Sequence, residues 1–126
     1  MTDVLKKIKI VVFDLDGTLL ADNGTIGENT RSLIKKLKEY DVRFTLATGR
    51  LHSAITYMAE DLGLKVPLVS LDGSLIKSYP DGKTLFESFV KKRHVKKTLD
   101  YVKQYTLNVA LCPSGTRACY SASRPA

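Results

Sequence analysis

The sequence predicts an α/β fold in which the strands of a parallel sheet alternate with helices. Three short apolar or β-rich segments, residues 10–13, 42–47 and 67–71, each run into a polar residue or a glycine. Between them lie two stretches with apolar residues at helical spacing, which indicates amphipathic helices that pack on a sheet. Strands and helices that alternate in this way are typical of βαβ units, whose strands run parallel to each other.

The first strand comes from a continuous apolar run. Residues 10–13, Ile-Val-Val-Phe, contain no polar alternation, which predicts a strand buried on both faces. Asp14 and Asp16 follow it, and the ligands of open parallel sheets bind beyond the carboxyl ends of the strands. Two carboxylates at a buried strand end are costly to desolvate unless a cation compensates their charge. The pattern therefore predicts a ligand site at this edge of the sheet.

The two predicted helices follow the first and second strands. Residues 19–28, rich in Gly, Asn, Asp and Thr, are predicted to form a loop before the first helix. The first helix presents the apolar stripe Leu33, Ile34, Leu37 and Tyr40, and the second presents Ile55, Met58, Ala59 and Leu62. Asp41 ends the first helix where glycine would be the better residue, which predicts a small local cost. Gly63 is predicted to close the second helix.

The second and third strands also carry polar residues to their carboxyl ends. Residues 42–47 are rich in side chains that favour strands, and they lead into Thr48-Gly49-Arg50. Residues 67–71 begin with a proline, which is tolerated at the start of a strand, and they lead into Asp72-Gly73. A hydroxyl and two glycines are therefore expected at the edge of the sheet where the first two carboxylates lie.

The second part of the chain changes from parallel to antiparallel character. Residues 74–79 and 84–90 flank the turn sequence Pro80-Asp81-Gly82-Lys83, which predicts a hairpin. A helix is predicted from about His94, with the apolar stripe Val95, Leu99, Val102 and Thr106. Residues 107–112 and 116–121 are predicted to form two further strands that pair with each other.

Composition limits the class of protein. The 126 residues are 44% apolar and 26% charged, values typical of one modest globular domain. No apolar run approaches the length of a membrane span, and charge interrupts the N-terminal segment before a secretory core forms. We therefore expect a cytoplasmic protein with no membrane partner. Cys112 and Cys119 are expected to be reduced thiols without a catalytic role.

Charge points to an anionic ligand. The net charge of +7 suits a phosphate ester, and it also suits nucleic acid. Residues 91–97 contain five Lys or Arg around His94, but Val95 and the apolar stripe after it indicate the solvated basic face of an amphipathic helix. No nucleic-acid partner is therefore expected.

Two segments resemble motifs of one family. Asp14-Leu15-Asp16-Gly17-Thr18 is similar to the Asp-x-Asp-Gly-Thr nucleophile motif of the haloacid dehalogenase (HAD) superfamily, and Thr48-Gly49-Arg50 is similar to the second motif of its Cof-like phosphatase branch. The resemblance implies a partial HAD-type Rossmann-like core, a three-layer α/β/α fold with a parallel sheet, followed by the start of an α+β cap. Residues 1–79 would be the N-terminal part of the core, and residues 80–126 the hairpin and an incomplete cap.

The resemblance also implies a reaction, the Mg²⁺-dependent hydrolysis of small phosphorylated metabolites, such as sugar phosphates, through an aspartyl-phosphate. Asp14 would be the nucleophile and Asp16 the acid and base. Mg²⁺ would contact the Asp14 carboxylate and the backbone carbonyl of Asp16. The hydroxyl of Thr48 and the amide of Gly49 would donate to the phosphoryl oxygens, with Gly17 at a tight turn beside them.

Each of three further residues, Arg50, Asp72 and His52, allows two interpretations. Arg50 binds the substrate phosphate or forms a surface ion pair, and the two are equally expected. Asp72, where the Cof-like branch usually has asparagine, is a ligand contact or a turn residue. His52 is expected to be a surface residue at a helix start rather than a base.

The downstream lysine and the second acidic motif of the Cof-like branch have no counterpart in this sequence. Without the later acids, Mg²⁺ binding is expected to be weak, and the alternative function is a non-catalytic remnant or assembly module. A basic nucleic-acid-binding domain is a third hypothesis. The first strand would be left as an uncovered apolar edge, which invites pairing with another chain. The chain would then have weak or no activity, or would be completed by another polypeptide or by a homodimer through that edge.

Overall fold

The computed structural model describes residues 7–105, 109–111 and 120–122. The chain divides into two compact units, Met1–Ser88 and Phe89–Ala126. The first unit contains, in order, β1 (Ile10–Phe13), α1 (Glu28–Glu39), β2 (Arg43–Leu46), α2 (Thr56–Asp61), β3 (Leu68–Ser70), β4 (Leu75–Lys77) and β5 (Thr84–Glu87). The second contains α3 (Lys92–Tyr105), β6 (Val109–Leu111) and β7 (Tyr120–Ala122). Each predicted strand and helix overlaps one of these elements.

The three strands of the α/β part run parallel. β1 pairs with β2 in a parallel register that sets Ile10 opposite Arg43. A further parallel bridge joins Ala47 to Val69, which places β3 on the other side of β2. The order across the sheet is therefore β1, β2, β3. The predicted α/β fold with a parallel sheet is confirmed.

The core combines side chains from the sheet, from both helices and from the turn after β1. The apolar stripe predicted for α2 is buried throughout: Ile55, Met58, Ala59 and Leu62 are at most 5% exposed. In α1 only Ile34 and Leu37 contact the core, whereas Leu33 is 51% and Tyr40 is 63% exposed. The predicted stripe is wrong at these two positions. Leu33 is rotated by about 100° from Ile34 on the helix, and Tyr40 follows the last helical turn.

The prediction that strand β1 is buried on both faces is wrong. Val11 and Phe13 pack against the core, but Ile10 is 44% and Val12 is 55% exposed. Successive side chains of a strand point to opposite faces of the sheet, and the described residues of the core pack on one face of β1. Within the described residues β1 pairs with β2 alone.

The end of α1 shows the local cost predicted at Asp41. Asp41 has a φ of 55°, in the left-handed region that favours glycine. The N–H of Asp41 donates to the carbonyl of Lys38 at 3.1 Å, and the N–H of Val42 donates to the carbonyl of Leu37 at 3.0 Å. These two bonds form a Schellman motif, in which glycine usually takes the position of Asp41. Gly63 fills the same position after α2 with a φ of 59°, as predicted.

Asp41→Gly is expected to raise the free energy of unfolding by about 1 kcal/mol, since a side chain in the left-handed region costs roughly that much. Gly63→Ala is the matched variant and should lower the free energy of unfolding by a similar amount. Urea unfolding of both variants and the wild type at one pH measures the two changes. Equal stability of Asp41→Gly and the wild type would contradict the assigned cost.

The antiparallel part begins at β3. β4 pairs with β3 on one side and with β5 on the other, and Ile76 lies opposite Val69 and Phe86. The predicted hairpin of β4 and β5 is confirmed, and the pairing of β4 with β3 was not predicted. β5 belongs to the first compact unit. The division into a core at 1–79 and a cap from residue 80 stays a prediction, because compactness alone does not assign a segment to either.

The described residues of the second unit contain one helix and two strands. The α3 stripe of Val95, Leu99 and Val102 is partly buried, and the basic residues at the start of the helix are exposed, as predicted. β6 and β7 pair antiparallel. The predictions for Thr106, Cys112 and Cys119 concern residues outside those that the structure describes. In the described parts of the chain, no helix has the length and apolar character needed to cross a lipid bilayer.

Candidate active site

The carboxyl ends of β1, β2 and β3 lie side by side, because the three strands are parallel neighbours. Asp14 follows the first strand, Thr48 follows the second, and Asp72 follows the third. Hydrogen bonds and close contacts join the segments that follow these strands. The structure therefore brings the predicted site residues together at one edge of the sheet.

The two carboxylates after β1 stand on either side of a buried leucine. Asp14 and Asp16 are exposed, while Leu15 between them is fully buried in the core. The N–H of Leu19 donates to the carbonyl of Asp14 at 3.3 Å and closes the turn. Gly17 has a φ of 75°, so the predicted tight turn at this glycine is confirmed. Leu15 thus anchors the segment while both aspartates face solvent.

Thr48 is held firmly at the end of β2. Its side chain is buried, and its N–H donates to the carbonyl of Val69 in β3 at 3.2 Å. Its Oγ1 accepts a hydrogen bond from the N–H of Arg50, also at 3.2 Å. The hydroxyl proton of Thr48 can still be donated, since the observed side-chain bond uses only an oxygen lone pair.

Arg50 forms a bidentate ion pair with Asp16. Its Nε donates to Asp16 Oδ2 at 2.9 Å, and its Nη2 donates to Asp16 Oδ1 at 2.6 Å. The hydrogen bonds and charge of Arg50 lower the pKa of Asp16, and the same contact raises the pKa of Arg50. The structure therefore shows the ion pair, one of the two interpretations of Arg50. The two side chains are 36% and 60% exposed, so an anionic ligand can reach the pair.

Asp72 packs against Gly49. The N–H of Asp72 donates to the carbonyl of Thr48 at 3.2 Å, and Asp72 has a φ of 52°. Its Oδ1 lies 2.8 Å from the position that a Cβ on Gly49 would occupy. A side chain at residue 49 would therefore collide with the Asp72 carboxylate. Asp72 is both a turn residue and a neighbour of the site.

His52 begins a helical turn, as predicted, but the prediction that it is a surface residue is wrong. It opens the 3-10 turn His52–Ala54 and is partly buried. Its Nδ1 is enclosed and has no hydrogen-bond partner among the described residues. Burial lowers the pKa of His52, and the charge of Lys77 lowers it further. The neutral imidazole is favoured in the folded protein as a result.

The free energy of unfolding is expected to decrease as the pH falls below about 6.5, the ordinary pKa of histidine. The unfolded chain binds a proton at His52 more readily than the folded chain, so the neutral imidazole contributes full stability above that pH and loses it below. His52→Asn cannot titrate and should flatten this part of the pH profile of urea unfolding. The same slope in wild type and variant would argue against the buried neutral imidazole.

Tyr57 is a neighbour of the site that the sequence motifs did not indicate. It lies in the first turn of α2, is 60% exposed, and adds to the rise in the pKa of Arg50 after the larger effect of Asp16. The sequence gives one indication that Tyr57 lies near the site. Tyr57 is an aromatic residue outside the apolar stripe of the second helix, and it follows Arg50 closely in the chain.

The site offers few ligands for a metal ion. Among the described residues, no group of three or more His, Cys, Asp or Glu side chains lies close enough to hold one. Arg50 engages both carboxylate oxygens of Asp16, which leaves the Asp14 carboxylate and the Asp16 backbone carbonyl as donors at this strand end. Mg²⁺ accepts such a sparse set of oxygens because it keeps several of its waters. These donors fit a weakly held Mg²⁺.

Known proteins share this sequence pattern. The pattern of the haloacid dehalogenase-like hydrolase family matches residues 11–124. The 5-amino-6-(5-phospho-D-ribitylamino)uracil phosphatase of Bacillus subtilis is 33% identical over 95 residues, which are 75% of this chain and 33% of that protein. The HMP-PP phosphatase of Shigella flexneri is 36% identical over 70 residues, 56% of this chain and 26% of that protein. The chain thus spans about a quarter to a third of the length of these curated relatives.

Solved structures share the fold. A phosphatase of the HAD superfamily from Bacteroides thetaiotaomicron has a TM-score of 0.80 at 19% identity, over 96% of this chain and 44% of that one. A haloacid dehalogenase-like hydrolase from the same organism has a TM-score of 0.74 at 24% identity, over 84% of this chain and 41% of that one. The fold expected from the two motifs, a partial α/β core of this type, is confirmed.

Proposed function

This chain belongs to the haloacid dehalogenase-like hydrolases, and from that premise we propose that its site hydrolyses phosphate monoesters of small metabolites, sugar phosphates among them. The observation that carries the proposal is the exposed pair Asp14 and Asp16 at the end of β1, next to Thr48 and Gly49 at the end of β2. Relatives named as phosphatases support the reaction class, and this chain spans about a quarter to a third of their length.

Asp14 is the nucleophile of the proposed reaction. One oxygen of its carboxylate attacks phosphorus, the bond from phosphorus to the ester oxygen breaks, and the leaving oxygen takes a proton from Asp16. Water then attacks the phosphorus of the aspartyl-phosphate, and Asp16 accepts the proton of that water. The products are inorganic phosphate, the free alcohol and the restored carboxylate of Asp14.

The ion pair between Arg50 and Asp16 has to open for this cycle. A phosphate monoester carries up to two negative charges, and its oxygens match the planar fork of a guanidinium group. We infer that Arg50 exchanges the Asp16 carboxylate for the phosphoryl oxygens when a substrate binds. Asp16, freed from the guanidinium that lowers its pKa, then takes up a proton from the solvent and can give it to the leaving oxygen. Both interpretations of Arg50 apply, the ion pair before the substrate binds and the phosphate contact after it.

Thr48 and Gly49 supply neutral donors to the same oxygens. The Thr48 hydroxyl and the Gly49 amide would stabilise the charge that develops on the phosphoryl group. The tight turn at Gly17 lets the backbone pass close to that group, because glycine adopts its φ of 75° without strain. The Asp72 carboxylate adds negative charge beside Gly49, which favours a substrate that binds together with a cation.

Mg²⁺ is the cofactor that these donors fit. The Asp14 carboxylate and the Asp16 carbonyl would hold it, with water in the remaining positions. When bound, the ion would offset the negative charge of the phosphoryl group and of the nucleophile. The small number of protein ligands in the described residues predicts weak binding, so the ion is expected to enter together with the substrate.

The test is the release of phosphate from an aryl phosphate monoester by the full chain, with Mg²⁺ and with a chelator in its place. We expect hydrolysis that depends on Mg²⁺ and on Asp14. The absence of hydrolysis by the wild-type chain would favour the alternative function, a non-catalytic assembly module with the same fold.

A further inference from the structure

We propose that the turn after β3, residues 70–73 and called the β3 turn below, holds the Gly49 amide in place for the phosphoryl group, and that Asp72 is the positioning residue. The inference rests on the proposed function, because it concerns a donor to the phosphate in that reaction. Three features support it: the hydrogen bonds of the β3 turn, its left-handed backbone, and the contact of the Asp72 side chain with Gly49. Asp72 therefore acts through Gly49 rather than on the substrate.

The β3 turn is hydrogen-bonded to the residue on either side of Gly49. The N–H of Asp72 donates to the carbonyl of Thr48 at 3.2 Å, and the N–H of Leu71 donates to the carbonyl of Arg50 at 3.1 Å. The N–H groups of Thr48 and Arg50 also have acceptors. The N–H of Gly49 donates to none of the described residues. Both neighbours of Gly49 are thus fixed, while its own amide can donate to a ligand.

Two successive non-glycine residues of the β3 turn have a left-handed backbone conformation. Leu71 has a φ of 53° and Asp72 has a φ of 52°, values that residues with a side chain rarely adopt. The N–H groups of successive residues point to opposite sides of an extended strand, so a continuation of β3 could not direct both of them toward residues 48–50. Strained conformations of this kind persist where the surrounding structure determines them, and they cluster at functional sites. The strain is therefore a consequence of holding the Gly49 segment from β3.

The Asp72 side chain lies against Gly49. Its Oδ1 is 2.8 Å, and its Cγ and Oδ2 are each 3.4 Å, from the position that a Cβ on Gly49 would occupy. The carboxyl group thus fills the space beside the Gly49 Cα, and Gly49 cannot move toward it. A glycine without such a neighbour has access to many backbone conformations. The contact with Asp72 removes that freedom from the residue whose amide has to meet the phosphoryl oxygens.

Asp72→Gly tests the positioning role. Glycine adopts the φ of 52° without strain and keeps the backbone N–H, but it removes the side chain beside Gly49. We expect kcat for the aryl phosphate to fall about tenfold with little change in KM, because the Gly49 amide acts mainly in the transition state. The free energy of unfolding should stay equal or rise. Asp72→Asn makes the same change in net charge, retains the shape of the side chain, and should keep kcat within about twofold of the wild type.

Gly49→Ala combined with Asp72→Gly tests the contact itself. Alone, the alanine methyl group collides with Asp72 Oδ1, so Gly49→Ala should lower kcat. In the double variant the carboxyl group is absent, and kcat should be at least about fivefold higher than in Gly49→Ala. A double variant less active than either single variant would overturn the proposal. So would a kcat of Asp72→Gly equal to that of the wild type.

The amide resonance of Gly49 separates the positioning role from the proposed reaction, because its measurement needs no turnover. In a ¹H–¹⁵N spectrum of the full chain with Mg²⁺, inorganic phosphate should shift the Gly49 amide proton downfield, and the shift should be smaller in Asp72→Gly than in the wild type and Asp72→Asn. A chain that shows this pattern but hydrolyses no phosphate ester would support the positioning role and contradict the proposed function. A Gly49 amide that phosphate does not shift in the wild type, or shifts equally in all three chains, would overturn the positioning role of Asp72.

Discussion

Asp14→Asn is expected to abolish the hydrolysis of phosphate monoesters, with a loss of at least about 10³-fold in kcat. An amide has neither the charge nor the nucleophilic oxygen of a carboxylate, so the bond from residue 14 to phosphorus cannot form. The fold should survive, because the Asp14 side chain is exposed and it is the backbone carbonyl that accepts the bond from Leu19. Phosphate release at saturating substrate and Mg²⁺ measures the effect.

Asp22→Asn is the matched control for this variant. Asp22 is an exposed aspartate in the loop between β1 and α1, and its substitution makes the same change in net charge. We expect it to leave kcat unchanged, which separates loss of the nucleophile from a general electrostatic effect. A kcat for Asp14→Asn equal to that of the wild type would show that Asp14 is not the nucleophile.

Thr48→Val is expected to lower kcat by about 10²- to 10³-fold, the usual cost of removing one donor to the developing charge. Valine keeps the shape of the side chain but has no hydroxyl to donate to the phosphoryl oxygens. It also removes the acceptor of the Arg50 N–H, whose bond to Thr48 Oγ1 is 3.2 Å long. Single-turnover kinetics with the aryl phosphate would show the loss in the chemical step.

Thr48→Ser is the control that keeps the hydroxyl, and its kcat should stay close to that of the wild type. Urea unfolding of both variants checks the structural role, because the lost acceptor in Thr48→Val is expected to cost about 1 kcal/mol of stability. If Thr48→Val and Thr48→Ser had the same kcat, the hydroxyl would have no part in stabilising the phosphoryl group.

Secondary structure and the positions of the site followed from short-range patterns in the sequence. An apolar run or a helical stripe spans only a few residues, and its spacing alone indicates the element that can bury it. For this reason β1, the buried stripe of α2 and the glycine end of that helix were all predicted. The placement of Asp14 and Thr48 at neighbouring strand ends followed from the parallel sheet that the alternating pattern predicts.

Burial could not be predicted in the same way, because it depends on what covers a face. The run that predicts β1 is apolar on both faces, yet Val12 and Ile10 are exposed while Val11 is packed against the core. Leu33 and Ile34 are neighbours in one predicted stripe, but only Ile34 faces the core. A sequence pattern records which residues are able to be buried, and the packing of the elements selects those that are.

The contacts within the site depended on distances between loops, which no local pattern contains. Asp16 and Arg50 are 34 residues apart, and only the parallel pairing of β1 with β2 brings them within hydrogen-bonding distance. The contact of Asp72 with Gly49 likewise requires β3 to lie beside β2. The sequence was therefore sufficient to identify the chemical groups and their strand ends. The tertiary structure determined which of those groups meet, because contacts between distant residues arise only when the strands are assembled.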